Sequence, residues 1–212
     1  MGLLYFNSRI GVSMKIIKLE NLTSIQLGKI TDAHGTIVYP TDTIYGIGCN
    51  ALDNEAVKKV YEVKGRNYSK QCSVSCPSLD AIDSLVILDE QAKEIVSRLL
   101  PGPYTFVAKA RKIIPFQKDT IAFRIPEGRF TEVVSELGAY FITTSANLSG
   151  QLPAVNFKEV NMGIMQKVDL CVDGGACKYA APSTVIDLDK MCVLRKGASK
   201  PEHEEILKKF ER

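Results

Sequence analysis

Three polar segments carry the side chains that are best suited to binding and orienting a small ligand. YPTDTIYG (39–46) places two threonine hydroxyls and Asp42 after a short apolar run. ITTSANLSG (142–150) is rich in hydroxyl and amide groups, and APSTVIDL (181–188) places Ser183 and Thr184 before another apolar run. Each segment alone is typical of a turn or a helix cap. Together, at predicted strand ends, they indicate a ligand site.

Positive charge is concentrated in residues 58–70, which hold five cations against the single acid Glu62. Lys58 and Lys59 fit a solvated helix face. Lys64 and Arg66 flank Gly65, which is expected to end the helix and release both cations into a loop. An arginine fork and a lysine point charge suit phosphate or carboxylate groups.

Two further arginines lie on predicted strands. Arg124 shares a face of the 120–125 strand with Thr120 among strongly apolar neighbours, so it must find an anion. A structural salt bridge and a ligand carboxylate explain Arg124 about equally well. Arg195 ends the last predicted strand, where a phosphate contact and plain solvent are comparable interpretations.

Several common chemistries are disfavoured by the sequence. It has no phosphate-binding Walker loop and no Gly-x-Ser-x-Gly elbow, and its two histidines do not suggest a catalytic triad. Gly46 and Gly48 lie too far from the preceding strand for a dinucleotide fingerprint. The 6 cysteines form no Cys-x-x-Cys pair, so we expect buried free thiols and a reducing, cytoplasmic setting.

The elements that must position these groups alternate along the chain. Helices are predicted over 21–34, 54–65, 90–100, 129–137 and 202–211, and strands over 36–40, 71–76, 104–110, 120–125, 139–144, 168–172, 184–188 and 191–195. In the 71–76 strand, Cys72 and Val74 face one side while Ser73 and Ser75 face the other. This alternation, with a strand-rich end, predicts an α/β fold with a twisted, mostly mixed β-sheet flanked by helices.

Composition sets the scale of the protein. The 212 residues are 45% hydrophobic and 24% charged, with a net charge of +3. These values favour a globular domain over a disordered chain or a general polyanion-binding protein. We expect one catalytic domain over residues 14–212, with residues 1–13 as an N-terminal extension and no membrane span.

In combination, the polar segments resemble the threonylcarbamoyl-AMP synthase family, the YrdC-like proteins, in their single-domain form. The matching stretches are YPTDTIYGIGCNA, KGR, LPGPYTFV, IAFRIP, TTSANLSG, PSTVIDL and VLRKGA, in the family's order over residues 36–198. The resemblance implies the YrdC-like fold and a nucleotidyltransferase that converts L-threonine, bicarbonate or CO2 and ATP to threonylcarbamoyl-AMP and pyrophosphate. A partner transferase would then modify an adenosine of certain tRNAs.

The resemblance also implies roles for individual residues. Lys64 and Arg66 would be catalytic and hold phosphates. The L-threonine contacts would be Thr43, Arg124, Thr143 and Ser183, and the further ATP contacts would be Lys70, Thr120, Ser145, Asn147 and Arg195. Mg²⁺ would accompany ATP, although the sequence names no ligand for it.

The sequence departs from the family pattern in one loop. After Arg66 the family usually has proline, and many members have histidine where this chain has Ser75. Ser75 lies on the polar face of its predicted strand, from which it could reach the threonine substrate. The altered loop and the basic 58–70 segment keep one alternative open, an RNA-binding or ribosome-associated relative without synthase activity. A carbamoyl-transfer module is a third interpretation, which the lack of companion domains disfavours.

Overall fold

The computed structural model describes residues 4–5, 14–148 and 150–211. Most of the predicted extension, residues 1–3 and 6–13, lies outside the described residues. Within it, β1 (Leu4–Tyr5) pairs antiparallel with β2 (Met14–Lys18). No helix among the described residues is long and apolar enough to cross a membrane.

The described strands form one mixed sheet. The further strands are β3 (Ile37–Tyr39), β4 (Gly46–Gly48), β5 (Ser73–Ser75), β6 (Tyr104–Lys109), β7 (Thr120–Arg124), β8 (Phe141–Ser145), β9 (Leu170–Asp173), β10 (Thr184–Asp187) and β11 (Cys192–Arg195). Their order is β1-β2-β9-β3-β4-β8-β5-β7-β6-β10-β11. Parallel pairs such as β5–β7 and antiparallel pairs such as β6–β7 occur side by side, which confirms the predicted mixed sheet.

Helices flank this sheet and bury its apolar residues. They are α1 (Ser24–Asp32), α2 (Asn54–Lys64), α3 (Leu79–Leu85), α4 (Glu90–Leu99), α5 (Arg129–Leu137), α6 (Met162–Met165) and α7 (Glu204–Lys208). Ile37 and Tyr39 of β3 pack with α5, whereas Val38 belongs to a second core cluster with residues of α2 and α4. Strand β3 is therefore buried on both faces, as its continuous apolar run requires.

Local sequence signals explain the element that carries the cation pair. Asp53 caps α2 by accepting hydrogen bonds from the backbone N–H groups of Glu55 and Ala56. Gly65 ends α2 at φ 57°, the left-handed conformation that glycine adopts at little cost. The predicted helix stop and the release of Arg66 into a loop are confirmed. The predicted release of Lys64 is wrong, because Lys64 is the last residue of α2 and is buried there.

The glycine pair that imitates a dinucleotide fingerprint has a structural role instead. Gly46 and Gly48 lie within β4, between β3 and β8, and not in a strand-to-helix turn. A Cβ atom on Gly48 would lie 1.8 Å from the carbonyl oxygen of Ile142. The backbone of β8 lies too close to position 48 for any side chain, so glycine is required there. Strand β4 is not among the strands predicted from the sequence.

Candidate active site

A polar cavity of about 390 Å³ lies across β4, β5, β6, β7, β8, β10 and β11. Side-chain alternation builds its floor: Ala122 and Arg124 of β7 face the cavity, while Ile121 and Phe123 are fully buried on the other side. The predicted alternation of β7 is confirmed. Predicted site residues that line the cavity are Arg66, Arg124, Thr143, Ser145, Asn147, Ser183 and Arg195.

The charge of this lining is one-sided. Three guanidinium groups, those of Arg66, Arg124 and Arg195, line the cavity. Among the residues that the structure describes, no aspartate or glutamate lines it. A concave surface with this charge is built to receive anions.

Arg124 is held in a buried network. Its Nη2 donates to Asp42 Oδ1 at 2.6 Å, and the two side chains are only 6% and 1% exposed. Its Nη1 donates to Thr43 Oγ1 at 3.1 Å. The structural salt bridge that the sequence left open is therefore present, yet Nε remains buried without a partner. Arg124 thus has both a structural anchor and donors to spare.

Two further predicted threonine contacts, Thr43 and Ser183, are each held by hydrogen bonds. Thr43 is fully buried and its hydroxyl contacts Thr41 Oγ1 at 2.9 Å, which fixes the loop after β3. Ser183 Oγ contacts Thr105 Oγ1 at 2.9 Å and accepts from Arg195 Nη2 at 3.1 Å. Partial burial and the nearby charge of Arg124 lower the pKa of Arg195. Two like charges are thus held together, which an anion would relieve.

The second group of cations is held by carbonyl oxygens. Lys64 is only 4% exposed, and its Nζ donates to the Ser145 carbonyl oxygen and, at 3.3 Å, to Ser145 Oγ. Burial, with a smaller contribution from Arg66, lowers the pKa of Lys64 to about 8. Arg66 donates to the carbonyl oxygens of Lys70 and Gln71 at 2.9 and 2.8 Å. Within the described part of the chain, neither Lys64 nor Arg66 pairs with a carboxylate.

Asn147 presents an acceptor to its surroundings. Its Nδ2 donates to the carbonyl oxygens of Leu148 and Gln151, at 3.1 and 2.6 Å, so both donors have acceptors. Its Oδ1 is buried without a hydrogen-bond partner. An unpartnered buried acceptor costs about 1–3 kcal/mol, so a ligand that brings a donor or a cation would gain from it.

Five predicted site residues lie outside the cavity lining: Thr43, Lys64, Lys70, Thr120 and Ser75. Lys70 is exposed and contributes its carbonyl oxygen to Arg66. Thr120 is half-buried, and its carbonyl accepts from Gln71 Nε2 at 3.1 Å. Ser75 is 4% exposed beside Arg124 in the β5–β7 pairing, where Ser73 is the β5 serine that faces the cavity.

The basic helix face does not form a free cationic patch. Lys58 lies 3.9 Å from Glu62, and Lys59 lies 3.4 Å from Glu55, as exposed i,i+4 pairs along α2. These pairs are the solvated helix face that the sequence suggested. Five of the six cysteines are buried, as expected for structural free thiols, and Cys192 is half-buried.

Sequence reasoning missed Asp42 as the partner of Arg124. The polar segment 39–46 contains Asp42, but the neighbouring residues in the sequence give its carboxylate no partner. The signal was available, because a buried arginine needs an anion and Asp42 directly follows a buried strand. The pairing depends on the sheet, which contains both β3, directly before Asp42, and β7, which carries Arg124.

Comparison with known proteins agrees with this geometry. The Sua5/YciO/YrdC family model, described as telomere recombination, matches residues 29–197. A Methanocaldococcus jannaschii protein, named as a candidate threonylcarbamoyl-AMP synthase, is 36% identical over 88% of this chain and 95% of its own length. The threonylcarbamoyl-AMP synthase of Pyrococcus abyssi is 33% identical over 72% of this chain, which spans 46% of that longer protein.

Solved structures share the fold. Sua5 of Pyrococcus abyssi, complexed with L-threonine, superposes with a TM-score of 0.81 at 30% identity, covering 90% of this chain and 58% of that chain. YciO of Escherichia coli superposes with a TM-score of 0.77 at 26% identity, covering 92% and 97%. The YrdC-like fold predicted from the sequence is confirmed, and this chain belongs to the Sua5/YciO/YrdC family.

Proposed function

We propose that this protein is an L-threonylcarbamoyladenylate synthase. The observation that carries the proposal is the cavity with three guanidinium groups and, among the described residues, no lining carboxylate. Such a site suits substrates that carry anionic groups, the carboxylate of L-threonine and the phosphates of ATP, better than an uncharged molecule. Two relatives named for this activity are 33% and 34% identical to this chain, over 158 and 167 residues.

Each of the two groups of cations is proposed to bind a different substrate. Arg124, anchored by Asp42, would bind the threonine carboxylate, with Thr43, Thr143 and Ser183 as hydroxyl contacts. Lys64 and Arg66 would hold the triphosphate, with Ser145 and Asn147 nearby. Arg195, which donates to Ser183 at the amino-acid end, remains a predicted ATP contact. Lys70 and Thr120 remain predicted ATP contacts at the outer edge, and Ser75 remains a predicted threonine contact.

The proposed chemistry needs no protein nucleophile. The threonine ammonium first loses a proton to solvent. The free amine then bonds to the carbon of CO2 and releases a second proton to solvent, or bonds to the carbon of bicarbonate and releases water, to give a carbamate. A carbamate oxygen then bonds to the α-phosphorus, and the bond from this phosphorus to the bridging oxygen breaks to release pyrophosphate. Charge develops on phosphate oxygens, where fixed donors such as Lys64 and Arg66 stabilise it.

Magnesium is expected to enter with ATP as part of the substrate. Among the described residues, no group of three histidine, cysteine, aspartate or glutamate side chains could hold a metal ion. Asn147 Oδ1 is a hard oxygen without a hydrogen-bond donor, which suits Mg²⁺. Phosphate oxygens and water would supply the remaining ligands, because Mg²⁺ bound to nucleotides keeps several waters.

The product is a reactive mixed anhydride, so a downstream tRNA threonylcarbamoyl transferase is the proposed partner, in the cytoplasm. The RNA-binding alternative has less support, because Lys58 and Lys59 are paired within α2. If that alternative held, duplex RNA would bind at micromolar or tighter concentration, and binding would weaken steeply with salt.

Pyrophosphate release tests the proposal directly. We expect release from Mg-ATP only when L-threonine and bicarbonate are both present, with threonylcarbamoyl-AMP as the second product by mass spectrometry. Leaving out threonine or bicarbonate singly provides matched controls. Release that does not depend on threonine, or no release with all components present, would refute the synthase activity.

A further inference from the structure

Three loops of the cavity wall meet at one carboxylate outside the cavity, that of Glu127. Its Oε2 accepts from Lys178 Nζ at 2.8 Å and from the Tyr179 hydroxyl at 3.2 Å. Its Oε1 pairs with Lys200 Nζ. Burial acts to raise the pKa of Glu127, but the donors Lys178 and Lys200 outweigh it and leave this pKa below its ordinary value.

Each of these loops continues into the cavity. The segment with Tyr179 leads to Ser183, and the segment with Lys200 follows Arg195. The Ala198 N–H donates to the Pro182 carbonyl at 2.7 Å, so these two segments are also joined to each other. The Glu127 carboxylate therefore joins the strand end that carries Arg124 to the loops that carry Ser183 and Arg195.

The backbone of Glu127 extends the same network to Asp42. The Glu127 N–H donates to Asp42 Oδ2 at 3.2 Å, and Asp42 Oδ1 holds Arg124. The Tyr179 N–H donates to the Asp42 carbonyl at 2.8 Å. Asp42 is thus fixed on one side by Arg124 and on the other by Glu127 and the loop that Glu127 anchors.

We propose that Glu127 is a positioning residue for the amino-acid end of the active site. It does not line the main cavity, so it acts through Asp42, Arg124 and Ser183, not by touching substrate. Its loss would loosen the relative placement of these groups, to which a bound carboxylate is sensitive. Lys64 and Arg66 are held by other contacts and would keep their geometry. This inference rests on the proposed function.

The test compares Glu127→Gln with Glu132→Gln, which makes the same chemical change five residues away. Glu132 is an exposed partner of Arg129 and lies outside the network. For Glu127→Gln we expect L-threonine affinity, measured by calorimetry, to fall about tenfold while ATP affinity changes less than about twofold. For Glu132→Gln both affinities should stay within about twofold of wild type.

A second variant keeps the test decisive if Glu127→Gln folds poorly. Lys200→Met removes the ammonium that pairs with Glu127 Oε1 and should reproduce the threonine-specific loss. The double variant should be no worse than Glu127→Gln alone, since Glu127→Gln already removes the charge with which Lys200 pairs. Unchanged threonine affinity in both variants, additive losses, or threonine and ATP affinity falling together would overturn the proposal. Wild-type protein that binds no threonine would instead refute the proposed function.

Discussion

The two cationic ends of the cavity are neutralised in different ways. At the paired end (Asp42, Thr43, Arg124, Ser183 and Arg195), a buried carboxylate compensates one of the two arginines. At the carbonyl-held end (Lys64, Arg66, Ser145 and Asn147), carbonyl oxygens hold both cations and, in the described part of the chain, no carboxylate compensates them. The first end matches a single carboxylate. The second retains more unbalanced charge and matches a polyphosphate.

The two ends also differ in what they contribute to the stability of the fold and to the binding of anions. A buried ion pair makes each partner depend on the other for stability, because removal of one leaves the other buried and unpaired. Lys64 is buried with a carbonyl oxygen and a hydroxyl oxygen as its hydrogen-bond partners, so its charge is desolvated without a carboxylate, and this burial lowers its pKa. The carbonyl-held end is therefore kept at a cost to stability that a bound anion can repay.

The largest expected effect is on the stability of the paired end. Arg124→Ala leaves Asp42 buried without its partner and should lower the free energy of unfolding by about 3–5 kcal/mol, measured in urea. Arg124→Ala combined with Asp42→Ala should recover part of the loss. If the single variant is as stable as wild type, Asp42 is not a buried partner that depends on Arg124.

The next effect is on catalysis at the carbonyl-held end. Lys64→Met removes a charged donor beside Ser145 of the cavity lining, where the triphosphate is proposed to bind. We expect it to lower kcat/KM for ATP by about 10²–10³-fold. The free energy of unfolding should stay level or rise, because a buried charge without a carboxylate partner is lost. Urea unfolding and pyrophosphate release on one preparation separate the two effects. A destabilised Lys64→Met would contradict the contrast between the ends.

Whether a feature of this site can be predicted from the sequence depends on how far apart along the chain its interacting residues lie. The α2 cap at Asp53, its stop at Gly65 and the alternation of β7 are local, and all three predictions are confirmed. Strand β4 could not be read from its residues, because glycine disfavours strands and only the neighbouring Ile142 backbone explains it. One local feature is missed as well: α3 is not among the helices predicted from the sequence, although its Ser78 cap is a local signal.

Partners that are distant along the chain set the other limit to prediction. The Asp42–Arg124 pair spans 82 residues, and the contacts of Glu127 with Lys178 and Lys200 span 51 residues or more. The sequence identified the segments that build the cavity. It did not identify the residues behind its wall, since those follow from strand order.

A pH effect should appear at the carbonyl-held end alone. The pKa of Lys64 is about 8 in the folded protein, against an ordinary 10.5, so its charge is lost as pH rises through 8. A bound phosphate favours the ammonium, and ATP binding therefore takes up a proton at higher pH. ATP affinity at pH 9 should be about tenfold weaker than at pH 7.

The controls for this pH effect follow from the same charge argument. Lys64→Arg stays charged and should flatten the profile of ATP affinity over pH 7–9. Between pH 8 and 10.5, Lys64 binds more protons in the unfolded chain than in the folded protein. The contribution of Lys64 to the free energy of unfolding therefore rises with pH in this range. A wild-type profile as flat as that of Lys64→Arg would contradict a titrating Lys64.

The smallest effect should come from Lys70, just outside the carbonyl-held end. Its side chain is exposed, and only its carbonyl oxygen contacts Arg66, at 2.9 Å. Because Lys70→Ala keeps that carbonyl, kcat/KM for ATP should fall less than about threefold, as for other exposed charges. Arg66→Ala, measured beside it, should lower the same quantity by about 10²-fold, since it removes a charge-assisted fork. A loss at Lys70 comparable to that at Arg66 would instead extend the carbonyl-held end to its ammonium, the direct ATP contact that the family resemblance predicts.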